Sequence, residues 1–236
     1  MKNQYFGDIN DYRKYGLLRI LTGWGEMSTA VCWMLTCGDG RSDGKFIKYL
    51  VQPEKWRCFD PDLYDKLREL VVAQGIRDVA KAEGAGIISS ARFYNEILYD
   101  DGERRSRYFK SFRNAAQGCD LVFFDPDNGL EVKSKPFGRK GSSKYLYWDE
   151  LDCTFSGGYS VLVYQHFPRE KREHFIARIA KEIGEKIETL RVYSFRTARV
   201  VFFLLPSERH VATFERNVCR VSELWGCQIK IQRHET

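Results

Sequence analysis

The chain has 236 residues, a length that suits one large α/β domain, and no Gly-, Ser- or Pro-rich linker divides it, so we expect a single domain over residues 1–236. With 43% hydrophobic and 30% charged residues, the composition excludes an intrinsically disordered chain. No apolar run approaches the roughly 18 residues that span a bilayer, and the polar start does not resemble a signal peptide, which predicts a cytoplasmic protein without a membrane segment. The net charge of +6 favours a polyanionic partner such as nucleic acid.

Apolar runs alternate along the chain with segments whose apolar residues recur at spacings of three and four. The runs predict buried strands at 30–35, 121–124, 160–164 and 200–205, with weaker candidates at 86–89, 191–195 and 228–232. The helical spacings predict amphipathic helices at 62–74, 103–116, 170–182 and 208–224. This alternation predicts an α/β fold with a doubly wound, mostly parallel, Rossmann-like sheet, and the closely spaced last strands predict an antiparallel C-terminal end. Ligands of such sheets bind beyond the carboxyl ends of the strands.

Two segments before residue 50 are candidates for the cleft. Residues 3–18 mix polar and aromatic side chains densely ahead of a helix, which predicts a segment that is tied across the sheet near the cleft. The glycine-rich stretch 38–44 follows the first strong strand, and its Gly38, Asp39 and Gly40 are candidates for contact with a phosphate or nucleoside. The spacing matches no nucleotide-binding fingerprint, so a plain glycine turn is the alternative.

The strand at 121–124 ends in residues 125–129, whose sequence Asp-Pro-Asp-Asn-Gly places two carboxylates at the carboxyl end of the predicted sheet. Proline fixes φ and glycine permits a tight turn, so the backbone can approach a ligand closely there. Asp125, Pro126 and Asp127 are therefore predicted residues of a catalytic site, with Glu131 nearby. The alternative is an Asx turn that only leaves the strand.

His166 ends the next predicted strand on the same edge of the sheet as Asp125, and we predict a catalytic contribution from it; a structural role is the alternative. Basic residues that interleave with aromatic ones, or that follow the central strands, are predicted to contact nucleic acid: Arg104, Arg105, Arg107, Lys110, Arg139, Lys140 and Arg169. For the helix at 103–116, the alternative is that Tyr108, Phe109 and Phe112 pack inward while the basic side chains are solvated. The loop at 134–144 is predicted to be mobile.

Taken in order, these segments resemble the RlmJ-like family of S-adenosylmethionine-dependent methyltransferases, which act on an adenine exocyclic amine in ribosomal RNA. The similarity covers most of the chain: the opening 5–15, the strand and glycine loop at 30–40, the stretch 60–64, and the strand and turn at 121–126 follow one another as in that family. The resemblance implies a methyltransferase-like domain that binds S-adenosylmethionine through Gly38, Asp39, Gly40 and Asp60, the last of them on the ribose.

The central signature departs from the family pattern. Of its D-P-P-Y motif the first two residues match, whereas Asp127 and Asn128 stand where the family has a second proline and an aromatic residue. In the family, the aspartate and the proline backbone accept hydrogen bonds from the amine while the aromatic ring stacks on the base, so the resemblance implies that Asp125 orients the acceptor. The stacking ring then has to come from another residue, such as Phe167 or Tyr147.

Three functions are compatible with these patterns. The first is a metal-free transfer of methyl from S-adenosylmethionine to a base amine of nucleic acid. The second is a phosphodiesterase or nuclease in which Asp125, Asp127 and Glu131 hold Mg²⁺ or Mn²⁺ while Lys133 or His166 assists attack on phosphate. The third is a catalytically silent methyltransferase-fold protein that binds nucleic acid or a protein through the loop at 134–144. They differ in what they require: a cofactor, a metal ion or neither.

Overall fold

The sheet at the centre of the protein is built from the apolar runs of the sequence. The computed structural model describes residues 1–37 and 46–235. In this part of the chain the strands are β1 (Thr29–Cys32), β2 (Ala91–Tyr94), β3 (Leu121–Phe124), β4 (Gly129–Leu130), β5 (Tyr145–Leu146), β6 (Ser160–His166), β7 (Arg191–Arg196), β8 (Val200–Leu205) and β9 (Lys230–Glu235). β4 and β5 pair with each other in a small separate sheet, and the other seven strands form the central sheet.

The central sheet is mixed and has the order β2-β1-β3-β6-β8-β7-β9. β2, β1, β3 and β6 are parallel to their neighbours in this group, whereas β8 runs antiparallel to β6 and β7, and β9 runs antiparallel to β7. The chain leaves β1 for β2 on one side and then crosses to β3 on the other, so the strand order reverses between β1 and β3. The predicted mostly parallel α/β sheet with an antiparallel C-terminal end is confirmed, and the reversal is where such sheets bind ligands.

Helices cover both faces of the central sheet. They are α1 (Ile9–Leu21), α2 (Pro53–Trp56), α3 (Pro61–Arg68), α4 (Ala80–Gly84), α5 (Gly102–Ala115), α6 (Trp148–Ser156), α7 (Arg172–Ile187) and α8 (Val211–Trp225). A π-helical turn at Glu69–Ala73 continues α3, and 3₁₀ turns lie at Asn3–Tyr5, Gly23–Gly25, Lys48–Val51, Ser142–Lys144 and Glu208–His210. Alternate side chains of β3 enter opposite cores: Phe123 packs in the cluster with α1 and α8, and Phe124 in the cluster with α5 and α7. The sheet is doubly wound, as predicted.

Backbone turns explain where the structure differs from the predicted strands. β1 is shorter than predicted because Met34 has a φ of 46°, which takes the backbone out of the extended conformation. Residues 86–89 form no strand, since Gly86 and Ser90 both have positive φ (58° and 52°), and the extended segment begins only at β2. None of the helices in residues 1–37 and 46–235 has the length and apolar character needed to cross a bilayer.

Candidate functional site

The helix α1 lies over the point where the strand order reverses. Asp8 caps this helix, because its carboxylate accepts hydrogen bonds from the backbone N–H groups of Asn10 (2.7 Å) and Asp11 (3.0 Å). Three residues apart on the helix, Asp11 and Lys14 share one face, and Lys14 reaches Asp125 at the end of β3. The polar and aromatic opening of the chain is therefore tied across the sheet to the carboxyl end of β3, as the sequence predicted.

Asp125 takes part in a closed cluster of buried charges. The ammonium group of Lys14 lies 2.7 Å from Asp11 Oδ1 and 2.7 Å from Asp125 Oδ2, and all three side chains are at most 4% exposed. Asp11 also accepts hydrogen bonds from the Gly7 backbone N–H (3.0 Å) and the Tyr15 hydroxyl (3.2 Å). The carboxylate of Asp125 is thus held by Lys14 beneath the surface, and this arrangement leaves it no contact with a ligand at the surface.

Opposing effects set the protonation of this cluster. Burial raises the pKa of Asp125 above its usual value, and the neighbouring ammonium of Lys14 only partly offsets that shift. Burial likewise raises the pKa of Asp11, against the same lysine. For Lys14, burial lowers the pKa, but the two carboxylates outweigh it and leave the lysine pKa above its usual range. If Lys14 were removed, Asp11 and Asp125 would stay buried without the ammonium group that stabilises their charged forms.

Asp127, two residues beyond Asp125, is also largely buried but has different partners. The amino group of Met1 lies 2.9 Å from its Oδ1, and the hydroxyl of Thr36 donates to its Oδ2 at 2.9 Å. Burial by itself raises the pKa of Asp127. The amino group of Met1 and the Thr36 hydroxyl lower that pKa by more than burial raises it, so the net pKa lies below the usual range. Asp127 is therefore an ionised carboxylate that links the end of β3 to the chain beyond β1.

The three carboxylates of the predicted metal site do not converge. Asp125 pairs with Lys14, Asp127 binds Thr36, and Glu131 accepts a hydrogen bond from the Trp148 backbone N–H (3.1 Å) on the other side of the segment. Across residues 1–37 and 46–235, no three His, Cys, Asp or Glu side chains are grouped so that they could hold a metal ion. The prediction that Asp125, Asp127 and Glu131 bind Mg²⁺ or Mn²⁺ is therefore wrong for this arrangement.

The predicted cofactor residues lie in two places. Gly38, Asp39 and Gly40 fall outside the described residues. Asp60 is a helix cap: it accepts from the Leu63 backbone N–H (3.0 Å) and pairs with the buried Arg19 (2.8 Å). The Asp60 carboxylate therefore binds groups inside the protein and does not face a ligand.

Sequence reasoning missed Glu96, which follows β2 at the carboxyl edge. The register pairs Cys32 with Tyr94 and Leu35 with Ile97, so Glu96 stands beside the chain that leaves β1. Its side chain is exposed and has no partner among the described residues. In doubly wound sheets that bind nucleotides, a carboxylate at the end of the second strand accepts hydrogen bonds from the ribose hydroxyls, so Glu96 is a candidate contact for an adenosine-type cofactor. The signal in the sequence was missed because the strand was predicted at 86–89.

A second site lies on the other side of residues 125–130. Gly129 has a φ of 117°, and an added Cβ would lie 2.2 Å from Oε1 of Gln165, so only glycine fits. The Gln165 amide accepts from the Leu130 N–H (2.8 Å) and donates to the carbonyls of Asn128 (3.1 Å) and His166 (2.9 Å). These bonds fix the backbone of the segment against β6 and form the floor of a groove.

This groove has a volume of about 890 Å³ and lies between β6, the start of α6 and the length of α7. Its aromatic lining is supplied by Tyr145, Trp148, Phe167 and Phe175, and its ionisable lining by Glu131, Lys133, His166, Glu170, Arg178, Glu182 and Lys186. His166, predicted from the sequence, is exposed at this groove, and its Nδ1 bonds the carbonyl of Phe167 at 3.0 Å. Because a carbonyl only accepts, Nδ1 carries the proton and Nε2 of the neutral ring has a free lone pair.

Of the two predicted replacements for the missing aromatic residue, Phe167 lies at the groove and Tyr147 does not. Phe167 is half-buried and lines the groove. Tyr147 is buried, and its hydroxyl donates to the backbone carbonyl of Lys135 at 2.7 Å. Trp148 and Tyr145, which the sequence did not single out, add two further half-buried rings.

One of the predicted nucleic-acid contacts is an interior residue. Arg105 is fully buried; it pairs with Glu150 (2.6 Å) and donates to the carbonyls of Ser142 (3.1 Å) and Tyr145 (2.6 Å). It is therefore not available to a ligand at the surface. The other predicted basic residues are exposed: Arg104, Arg107, Lys110, Arg139, Lys140 and Arg169. The inward packing predicted for the aromatic residues of this helix is confirmed: Tyr108, Phe109 and Phe112 are buried.

The loop at 134–144 is anchored at several points. The carboxylate of Asp100 accepts from the backbone N–H groups of Gly141 (2.7 Å) and Ser143 (2.8 Å), and the Ser142 hydroxyl donates to the Asp100 carbonyl. The ring of Phe137 packs edge-on against Tyr147, with 5.3 Å between ring centroids. These contacts oppose the predicted mobility of the loop.

No protein-family model matches the chain, and no curated protein matches it. Among solved structures, the crystal structure of protein LPL1258 from Legionella pneumophila str. Philadelphia 1, a DUF519 protein, is similar to this chain at 10% sequence identity, with a TM-score of 0.45. The similar region covers 98% of this chain and 97% of that one. Likeness at this level carries no information about function. The α/β class of this protein follows from its own strand order.

Proposed function

We propose that this protein is a methyltransferase-fold enzyme that moves a methyl group from S-adenosylmethionine to an exocyclic base amine of nucleic acid. The observation that carries the proposal is the position of residues 125–130, which separate two sites. On one side is the strand reversal between β1 and β3, with Glu96 beyond the end of β2, and on the other is the groove of about 890 Å³. Direct methyl transfer requires the methyl carbon and the amine nitrogen to approach within about 3–3.5 Å, so the cofactor and the base would have to meet at the edge of this segment and not across it.

On the donor side, Glu96 is the described residue with a carboxylate free to accept the hydroxyls of a ribose. Bound S-adenosylmethionine would supply an electrophilic methyl group that needs no metal ion for its transfer. Asp127 stays paired with the amino group of Met1, so we assign it no contact with the cofactor. We assign Asp125 a positioning role: through Lys14 it ties β3 to α1, and it does not itself touch the amine.

On the acceptor side, an amine that accepts a methyl group must release one proton. The lone pair on His166 Nε2 is exposed at the groove and accepts that proton directly or through water. The amide of Asn128 stands where the family that the sequence resembles has an aromatic residue. Its side chain has no partner among the described residues, and we assign it the orientation of the base edge. The two residues would act on the acceptor, whereas Glu96 would act on the cofactor.

The first test is the thermal stability of the protein with S-adenosylmethionine. Ligand at about a hundredfold over its Kd adds roughly 2.7 kcal/mol, which raises the Tm by several degrees for a domain of this size. We expect Glu96→Gln to lose most of that rise, and Glu83→Gln, an exposed glutamate on α4, to keep it. The absence of any rise for the unsubstituted protein would contradict the proposal.

The second test is transfer of an isotopically labelled methyl group to RNA and to DNA, with His166→Ala as the variant. We expect incorporation by the parent protein and a slower rate for the variant at unchanged cofactor binding.

A second candidate function, binding without transfer, is favoured by the Lys14–Asp125 ion pair. This ion pair occupies the carboxylate that the family resembled by the sequence uses to orient the amine. Stabilisation by S-adenosylmethionine without any incorporation would select that alternative.

A further inference from the structure

We propose that the groove between β6, α6 and α7 binds one unpaired nucleobase of a single-stranded nucleic acid, with the base against the rings of Trp148 and Phe167 and its polar edge facing Asn128 and His166. This inference deepens the proposed function and rests on it in one respect, namely that the substrate is a nucleic acid. The volume of about 890 Å³ lies within the range of roughly 300–1,000 Å³ that small-ligand sites occupy. The groove is therefore large enough for a base and part of its sugar.

The walls of the groove are fixed before any ligand binds. Gln165 uses both ends of its amide on the backbone of Asn128, Leu130 and His166. Glu131 accepts the N–H of Trp148 and so sets the first turn of α6, which carries that ring into the groove. Fixed walls lower the entropy cost of ordering the site when a ligand binds.

Aromatic rings line the groove and are only partly covered. Phe175 is buried and packs edge-on against Phe167, with 5.9 Å between ring centroids, so Phe167 is supported from inside. Trp148 is half-buried, and the ammonium of Lys186 lies 5.5 Å from its centroid. A half-exposed ring beside a cation is a favourable platform for a planar base, because stacking buries apolar surface and the cation stays near the π-electrons.

The polar groups of the groove divide into committed and free ones. Arg178 bonds Glu170 (2.9 Å) and Glu182 (3.1 Å), so these three charges satisfy one another. By contrast, the Asn128 amide, His166 Nε2 and the Lys133 ammonium have no partner among residues 1–37 and 46–235.

An amide, a ring nitrogen acceptor and a cation are the complement of a base edge and a phosphate. An acyl chain or another wholly apolar ligand would leave the amide and the imidazole without hydrogen bonds, at a cost that disfavours it. A duplex would keep its bases stacked and paired away from the groove, so the base must come from a single strand. Exposed cations next to the groove-lining residues Pro168 and Glu170 can follow the sugar-phosphate backbone: Arg169 and Lys171.

The test measures fluorescence anisotropy with a short labelled RNA single strand of mixed sequence, the same strand annealed to its complement, and an abasic strand of equal length. We expect the single strand to bind more tightly than the duplex and the abasic strand. Trp148→Ala should weaken single-strand binding roughly five- to tenfold, as the loss of one stacked base does elsewhere, and leave abasic-strand binding unchanged. Trp24→Ala, which removes a 43% exposed tryptophan at the opposite edge of the sheet, should bind as the parent does.

Equal binding of the abasic and the intact strand would overturn the inference, because only phosphate contacts would then remain. If Trp148→Ala proves unfolded by circular dichroism, Asn128→Ala provides the same base-dependent measurement from a side chain that has no partner among the described residues. Base-dependent binding in a protein that S-adenosylmethionine does not stabilise would retain this inference and reject the cofactor. Stabilisation by S-adenosylmethionine without base-dependent binding would do the reverse.

Discussion

The two sides of residues 125–130 differ in how far their polar groups are satisfied. On the side of α1, Lys14, Asp11 and Asp125 are buried and bind one another. On the side of α7, Asn128 and His166 keep free polar groups at an open groove. The difference indicates that the Lys14 cluster stabilises the fold, whereas the polar groups of Asn128 and His166 are available to a ligand, because a buried polar group without a partner is costly and an exposed one is not.

Removing the cation from the closed side should have the largest effect. Lys14→Met leaves Asp11 and Asp125 buried without a counter-ion, and the loss of one partner of a buried pair costs about 3–5 kcal/mol. The free energy of unfolding from urea titration at pH 7 measures it. Lys66→Met, which removes an exposed partner of Asp62, should cost less than about 1 kcal/mol. Equal losses for the two variants would contradict the comparison.

The same variant should depend on pH in a predictable direction. Burial raises the pKa of Asp11 and Asp125 in the folded state, so the folded protein holds their protons better and stability falls as pH rises through those raised pKa values. Without Lys14 the two pKa values rise further. The deficit of Lys14→Met relative to the parent should therefore be largest near pH 7 and shrink as the pH falls to about 5. A deficit that stays constant over this range would show that the carboxylates are not its cause.

Arg105 supports the groove from behind, and its loss should rank next. Arg105→Met leaves Glu150 mostly buried without its partner and frees the carbonyls of Ser142 and Tyr145, so we expect a loss of about 3 kcal/mol. Arg104→Met, one residue earlier and exposed, should change stability by no more than about 0.5 kcal/mol. Urea unfolding of both variants distinguishes an interior arginine from a surface one. If Arg105→Met is as stable as the parent protein, Arg105 is again a candidate for contact with nucleic acid at the surface.

Gly129 joins the two sides, and its substitution should have an intermediate effect. Gly129→Ala puts a methyl group 2.2 Å from Gln165 Oε1 at a φ of 117°, so strain and a displaced floor should cost about 1–3 kcal/mol and weaken oligonucleotide binding. Gly118→Ala also has a positive φ, 77°, but its added Cβ meets no atom within 4 Å. The difference in Tm between the two variants isolates the contact with Gln165. If Gly118→Ala is as harmful, backbone strain alone explains the loss.

The smallest effect on stability belongs to the open side. Asn128→Ala removes an amide that has no partner in residues 1–37 and 46–235, so the free energy of unfolding should change by no more than about 0.5 kcal/mol. Affinity for the labelled single strand should nevertheless fall severalfold, since one base-edge contact is lost. Anisotropy and urea unfolding on the same sample give both values. A large loss of stability with unchanged affinity would place Asn128 on the closed side.

Strong local signals made much of the fold predictable. β3 and β8 have the predicted bounds, and the antiparallel pairing of β7 with β8 follows from two apolar runs separated by four residues. The inward position of Arg105 also had a signal, because it lies three, four and seven residues before Tyr108, Phe109 and Phe112 on one helix face. The positive charge of Arg105 nevertheless argued against burial, because the sequence does not show that Glu150 would form an ion pair with it.

The sequence by itself determined the α/β class, the apolar strands and the turn that begins at Asp125, because continuous apolar runs and turn residues act locally. Only the tertiary structure decided which partners the polar residues have. Lys14 and Asp125 are 111 positions apart, and the groove collects residues from Asn128 to Lys186. Hydrophobic periodicity reports which face of an element is buried, but the partner of a charge depends on which strands become neighbours, and that is set by the folded sheet.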